Sequence, residues 1–314
     1  MNSRRVSRFR TQPWHLAAFI IAACAGVIVG IYALRSRGIE TPAELMACLP
    51  RSRATLAYVD VNALRRSGFL DLIAGSKAAE DLEYKTFVDG TGFDYRRDLD
   101  RLALAIAQND VWLVLRGRFN WNKLNSYTTS HGGECRNAVC SVQMSPKRWV
   151  SYYPLRAGAM ALAISAQADA VYSISAKTNA GDLGELPEQP VWISVPAAAL
   201  RDAQSLPTGA RSFVSPLGSA EKIVFSLGPD ANNLRLSATV TCSSEAAASN
   251  LMLQLQNATS MLQKMLAREN QKPNPRDLSG VLVAGSFSRE GRRVLGAWPV
   301  PREFVETIAA GDLN

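Results

Sequence analysis

The chain has 314 residues, 47% of them apolar and 20% charged, with 21 glycines and 15 prolines. That composition supports one or two globular cores and excludes disordered, collagen-like and low-complexity classes. The formal charge of +8 would suit a nucleic-acid binder, but six arginines (Arg4, Arg5, Arg8, Arg10, Arg35, Arg37) and no acid fall within residues 1–37. The 35 basic residues less those six leave 29 against 27 acidic ones. The remainder lacks the basic patch that phosphate binding needs, and no nucleic-acid partner is expected.

Trp14 to Leu34 reads WHLAAFIIAACAGVIVGIYAL, 21 residues without a formally charged side chain. As a helix rising 1.5 Å per residue it would be about 31 Å long, the thickness of a bilayer's hydrocarbon core. Trp14 and Tyr32 sit near its ends, where amphipathic rings favour the interface. Four arginines precede it and two follow, so residues 1–13 are expected as a cytoplasmic tail, 14–34 as a single-pass anchor in a bacterial inner membrane, and the remainder as periplasmic. The alternatives are a cleaved signal peptide ending near Ala23-Cys24-Ala25, and lipidation at Cys24 of Ile21-Ala22-Ala23-Cys24. Against both, apolar or small residues continue from Ala25 to Leu34. Residues 35–48 are expected as a linker.

Next come two units of similar element order. Thr55–Val61 is β-rich and Asn62-Ala-Leu-Arg-Arg begins a helix; Val191–Val195 is a second such run, followed by Pro196-Ala-Ala-Ala-Leu-Arg. Each unit then has two strands in succession, Leu102–Gln108 with Val111–Arg116, and Lys222–Leu227 with Leu234–Thr241. Both hairpins run into a capped helix, with Asn120 capping WNKLNSY and Ser243 or Ser244 capping a helix that reaches Arg268. Leu251, Leu255, Ala258, Leu262 and Met265 give that long helix an apolar stripe suited to lying on a sheet. Aligning Leu64-Arg65 on Leu200-Arg201 gives an offset of 136 positions, and the unit ends (Met160–Tyr172 against Val294–Glu306) match at 134. The expected fold is therefore α+β: an N-terminal transmembrane helix, then two tandem, duplicated units on antiparallel-rich sheets. These would be residues 49–176 and 191–314, joined by a linker at 177–190.

The pattern Leu49-Pro50…Leu56-Ala-Tyr-Val-Asp60…Leu64-Arg65, followed by Thr91-Gly-Phe-Asp-Tyr-Arg-Arg-Asp-Leu-Asp100, resembles bacterial envelope proteins of unknown function. The resemblance covers about residues 49–118. It implies an exported, membrane-tethered and internally duplicated protein, and brings no activity with it.

Chemistry-bearing residues are few. Cys135 and Cys140 flank Arg-Asn-Ala-Val between two short strands, a spacing that suits a disulfide across a hairpin; Cys48 and Cys242 have no evident partner. His131, Cys135 and Cys140 lack a fourth ligand for zinc, so no metal is expected. His131 is the one histidine after residue 15 and reads as a solvated loop residue. Ser219-Ala-Glu-Lys222 matches Ser-x-x-Lys, but the serine does not begin a helix and no Lys-Thr-Gly follows. In FDYRRDLDR, Asp98 and Asp100 alternate with arginines that would hold both ionised, which suits a solvated turn better than an acid/base pair. No catalytic residue and no cofactor is assigned. Trp149, Tyr152 and Tyr153 are the candidates for a partner surface. The expected function is a non-catalytic binding or scaffolding module of the envelope, with the lipid bilayer (through 14–34) and an envelope protein as partners. The alternatives are a periplasmic hydrolase using carboxylates, and a chaperone-like assembly factor that lends a sheet edge.

Overall fold

The computed structural model describes residues 39–72, 81–176, 185–196, 220–231 and 233–310. The tail 1–13, the span 14–34 with Cys24, most of the 177–190 linker, the helix expected after Pro196 and Ser219 lie outside the described residues. Among the described residues, no helix is long and apolar enough to cross a membrane.

The fold is mixed α+β around one large antiparallel sheet. Its first half comprises α1 (Pro42–Ala47), β1 (Thr55–Asp60), α2 (Val61–Arg66), α3 (Leu82–Thr91), α4 (Tyr95–Asp98), β2 (Leu99–Ala107), β3 (Asp110–Gly117), α5 (Trp121–Ser130), β4 (Glu134–Arg136), β5 (Val139–Ser145), β6 (Arg148–Arg156), β7 (Ala159–Ser165) and a 3₁₀ turn (Ala170–Ser173). The second half comprises β8 (Val191–Pro196), β9 (Ala220–Asp230), β10 (Asn233–Cys242), α6 (Glu245–Arg268), α7 (Leu278–Val283), β11 (Ser286–Glu290), β12 (Arg293–Val300) and α8 (Arg302–Ala310). Among the described residues, twelve strands join one sheet in the order β11-β12-β10-β9-β8-β1-β2-β3-β7-β6-β5-β4. Read outward from the central β1–β8 pair, the two sides follow one order: β1, β2, β3, β7, β6 on one side and β8, β9, β10, β12, β11 on the other. The β4–β5 hairpin extends the first side alone.

Strand alternation assigns each side chain to a face. One face carries Val59, Leu115, Val191, Phe225, Leu234 and Trp298, and the helices pack there, with α6 seating Leu251 and Leu255 on Ile223, Val240 and Val294. Ser244 caps α6 by accepting from the Ala247 amide, and Asn120 caps α5 by accepting from the Lys123 amide. The opposite face presents Ala103 and Ala105 on β2 and Ala161 and Ala163 on β7, a floor of small side chains.

On that floor lies the stretch expected as the end of a linker. Residues 42–47 are helical because Pro42 pre-sets the first turn and Thr41 and Glu44 form a capping box, Glu44 accepting from the Thr41 amide at 2.9 Å. Leu45 and Met46 are fully buried against the alanines. The linker assignment over 35–48 is corrected to that extent: its last residues belong to the core of the first half, since removing them would expose that alanine floor.

Trp298 shows how closely the second half is packed. A Cβ on Gly296 would lie 2.7 Å from the ring's Cη2, and one on Gly285 would lie 2.5 Å from Nε1. Gly296→Ala should therefore lower the unfolding free energy by about 1–3 kcal/mol, because overpacking forces the ring off its seat. Denaturant unfolding checks this. In a Trp298→Leu background, where the ring is gone, the same substitution should cost less than half as much.

Candidate binding surface

The face opposite the helices is covered unevenly. A cross-strand row runs Tyr153, Ala161, Val114, Ala103, Tyr58, Trp192, Ser226, Ser237, Ala297, Ser286. Over its first-half members lie Ile39, Leu45, Met46, Leu49, Val171 and Ile174, and Tyr153 donates from its hydroxyl to the Ile174 carbonyl at 2.7 Å. Beyond Trp192 and the buried Ser226 the row opens out, with Ser237 and Ala297 half-buried and Ser286 exposed. The adjacent row reads Val224, Thr239, Leu295, Ser288, and none of these four is buried. Ser237, Thr239, Ser286, Ser288, Leu295 and Ala297 line a shallow depression of about 310 Å³. This is a flat surface of hydroxyls and small apolar groups on a rigid sheet. It can accept and donate hydrogen bonds without placing a charge, and it lacks a nucleophile paired with a base. Sequence reasoning missed it, although Ser237-x-Thr239-x-Thr241 and Ser286-x-Ser288 carry the period of two that assigns them to one face.

The trio Trp149, Tyr152 and Tyr153 does not form a patch, which corrects its expected role as a partner surface. Tyr152 and Tyr153 are neighbours on β6 and so point to opposite sides of the sheet. Tyr152 is buried with Leu124, Cys140 and Met160, its hydroxyl 2.8 Å from that of Thr128. Tyr153 is half-buried and held by the Ile174 carbonyl, and Trp149, also half-buried, shares no patch with the buried Tyr152.

Cys135 and Cys140 face each other directly across β4 and β5, with Cα atoms 4.0 Å apart, and are joined by a disulfide. Asn137 and Ala138 at the turn both have positive φ, the conformation of a two-residue hairpin. Cys48 and Cys242 are buried free thiols; burial pushes the Cys48 thiol up to about 11 and the Cys242 thiol upward, so neither is a ready nucleophile. His131 is exposed, stacked on Tyr127 at 4.0 Å between ring centroids. Lys222 is an exposed residue of β9. Among the described residues, no group of three His, Cys, Asp or Glu side chains is placed to hold a metal.

Asp98 departs from the solvated turn expected of it. It is 7% exposed, and its carboxylate accepts from Arg97 Nη2 at 2.9 Å, from Arg118 Nη2 at 3.2 Å and from the Asp94 amide at 3.0 Å. Asp100 is more exposed and lies 3.9 Å from Arg65. The two carboxylates thus serve different arginines and form no acid/base pair.

No protein-family model matches the sequence, and no curated protein matches it. Three solved crystal forms of TP0453 are similar in shape at low identity. Crystal form I has a TM-score of 0.48 at 10% identity, covering 88% of this chain and 98% of that one. Form III has 0.45 at 8%, covering 85% and 98%, and form IV 0.42 at 10%, covering 86% and 96%.

Asp98 gives a pH prediction. The bond from Arg97 first, then those from the Asp94 amide and Arg118, lower its pKa from 3.8 to about 2. A lowered folded-state pKa means that the stabilisation is present above the unfolded value and lost as pH falls from about 4 to 2. Asp98→Asn should cost about 2 kcal/mol at pH 7, and the gap to the parent should close near pH 2. Urea unfolding of both proteins across this range checks it.

Proposed function

We propose that the protein is a membrane-tethered, non-catalytic binding or scaffolding module of the bacterial envelope, with residues 1–13 cytoplasmic, 14–34 spanning the inner membrane and the remainder periplasmic. The observation that carries the binding reading is the half-open sheet face: one half is sealed by residues 39–49 and 170–174, while Ser237, Thr239, Ser286 and Ser288 on the other stay accessible. Such a surface suits an uncharged or weakly polar stretch of an envelope protein, recognised through hydroxyl hydrogen bonds and shallow apolar contact with Leu295 and Ala297. The uncharged run Trp14–Leu34 and its flanking arginines support the tether. The common strand order on the two sides of the β1–β8 pair supports an ancestral duplication, and it pairs β7 with β12, whose sequences match at the offset of 134. Tethering confines the surface to a thin layer and so raises its effective concentration for neighbouring membrane proteins.

Cross-linking in intact cells with affinity purification tests this, using an anchor-only chain as control. A near-stoichiometric envelope partner is expected with the full chain, and Thr239→Arg should reduce its recovery about tenfold by placing a charge on the surface. Recovery of the same proteins with the anchor alone, or equal recovery with Thr239→Arg, overturns the assignment of the surface.

A further inference from the structure

The strands give the sheet two ends, and two separate features share one of them. At this end β1 finishes with Asp60, β2 begins with Leu99, β10 begins with Asn233 and β12 finishes with Val300. The described chain emerges here: the Glu40 carbonyl accepts from the guanidinium of Arg101, which also reaches Asp60. Helix α7 is also here, with Val281 buried among Leu234, Trp298 and Val300. Helix α6 runs back along the sheet from Cys242, and Gln263 Nε2 on its last turns donates to the Val283 carbonyl at 2.8 Å. The C-terminal tip of α6 and the emerging chain therefore lie at the same end, with β2 and β10 four strand spacings apart, about 19 Å.

The composition of that tip is unusual for a helix end facing water. Met261 and Met265, four residues apart on one ridge, are 65% and 51% exposed, and Leu278 at the start of α7 is 49% exposed. Around them, in residues 260–278, Lys264, Arg268, Lys272 and Arg276 stand against two acids, Glu269 and Asp277, the latter taken up in capping α7 through the Ser279 and Gly280 amides. Among the described residues none of these four cations is held in an ion pair. Flexible apolar side chains ringed by unpaired cations match the interfacial zone of an anionic bilayer, where methionines enter the acyl boundary and the cations meet phosphate headgroups.

We propose that the C-terminal tip of α6, through Met261 and Met265 with Lys264, Arg268 and Lys272, rests on the leaflet of the bilayer that holds residues 14–34. This rests on the tether proposed above. Chain length ties the two together, because Leu34 and Ile39 are five residues apart and can be separated by at most about 18 Å. So short a connection holds the sheet end from which Ile39 emerges near the headgroups, and the tip is on that end. A second copy of the chain docking on the ridge is the competing occupant; the unpaired positive charge, which would meet itself in a symmetric pair, disfavours it.

The test places a benzophenone amino acid at Met265 of the full chain in membranes rich in phosphatidylglycerol, with Met144 as the reference position. Met144 is 67% exposed and lies near the end of β5, at the opposite end of the sheet. Alkaline carbonate extraction of the same membranes reads the tether independently. The expected result is a chain that resists extraction and forms lipid adducts at 265 about tenfold above those at 144. Lys264→Glu, Arg268→Glu and Lys272→Glu together should cut the adducts at 265 about fivefold while the chain still resists extraction. Resistance to extraction with equal lipid adducts at 265 and 144, or with adducts at 265 to a second copy, overturns the tip and leaves the tether standing. Release of the chain by carbonate overturns both.

Discussion

The pairing of β1 with β8 is the constraint on which the rest of the molecule depends. It joins strands more than 130 positions apart in sequence and turns a seven-stranded and a five-stranded array into one sheet. Its centre is the directly opposed pair Tyr58 and Trp192, 3% and 2% exposed, with ring centroids 5.9 Å apart. Two aromatics of this kind bury roughly 150–250 Å² each, worth about 4–6 kcal/mol apiece at 25 cal/mol per Å². Against that stand Trp192 Nε1 and the Tyr58 hydroxyl, both buried without a hydrogen-bond partner, at a cost of about 1–3 kcal/mol each. The apolar term wins. Without this pair each half would present an unpaired central edge, the arrangement that invites edge-to-edge aggregation.

Joining the halves does not make their surroundings alike. One face is roofed by helices along its length, because large apolar residues alternate onto it from β1 to β12. The other face is set by small residues. In the first half these are alanines, which leave room for α1 and the 3₁₀ turn; in the second they are serines and threonines, whose hydroxyls need partners and so favour a wet surface. The two sheet margins differ as well. β4 has only three residues and is pinned to β5 by the Cys135–Cys140 disulfide, whereas β11 ends in Arg289 and Glu290. Short strands and edge charges are two independent ways of discouraging further strand addition.

Much of the local structure is legible in the sequence because it is local. Asn120 and Ser244 cap helices through bonds to amides three residues away, and the stripe of α6 holds through the buried Leu251 and Leu255 and the half-buried Ala258 and Leu262, whereas its expected last member, Met265, is exposed. The hairpins β2–β3 and β9–β10 are read from alternation and turn residues. What escapes is non-local or depends on parity. No pattern in Thr55–Asp60 names Val191–Pro196 as its partner, so two separate sheets and one continuous sheet are indistinguishable from sequence. Trp149, Tyr152 and Tyr153 are clustered in sequence, yet the strand period divides them between faces. Residues 42–47 are too few for a periodic signal, though the Thr41–Glu44 capping box behind Pro42 marks the helix. Asp98 escapes because acids are rarely buried; two arginines and one amide here supply the bonds that water would otherwise make. The open hydroxyl surface is assembled from residues of β10, β11 and β12, and only their alternation is visible beforehand.

Taken with the proposed tether and tip, the direction of the strands fixes how the open surface is presented. Both membrane attachments would lie at one end of the strands, so the sheet would stand on that end with its strands running away from the bilayer. Its hydroxyl face would then look sideways, along the plane of the membrane, rather than outward across the envelope. A surface held in that attitude meets proteins anchored in the same membrane more readily than diffusing solutes, since both partners are confined to one layer and one orientation. That confinement offsets the modest affinity expected of a shallow, uncharged patch. It also explains how a surface without a deep cavity or a charged anchor residue could still select a partner: the tether and tip would supply the proximity and orientation, leaving the hydroxyl rows to supply only the match.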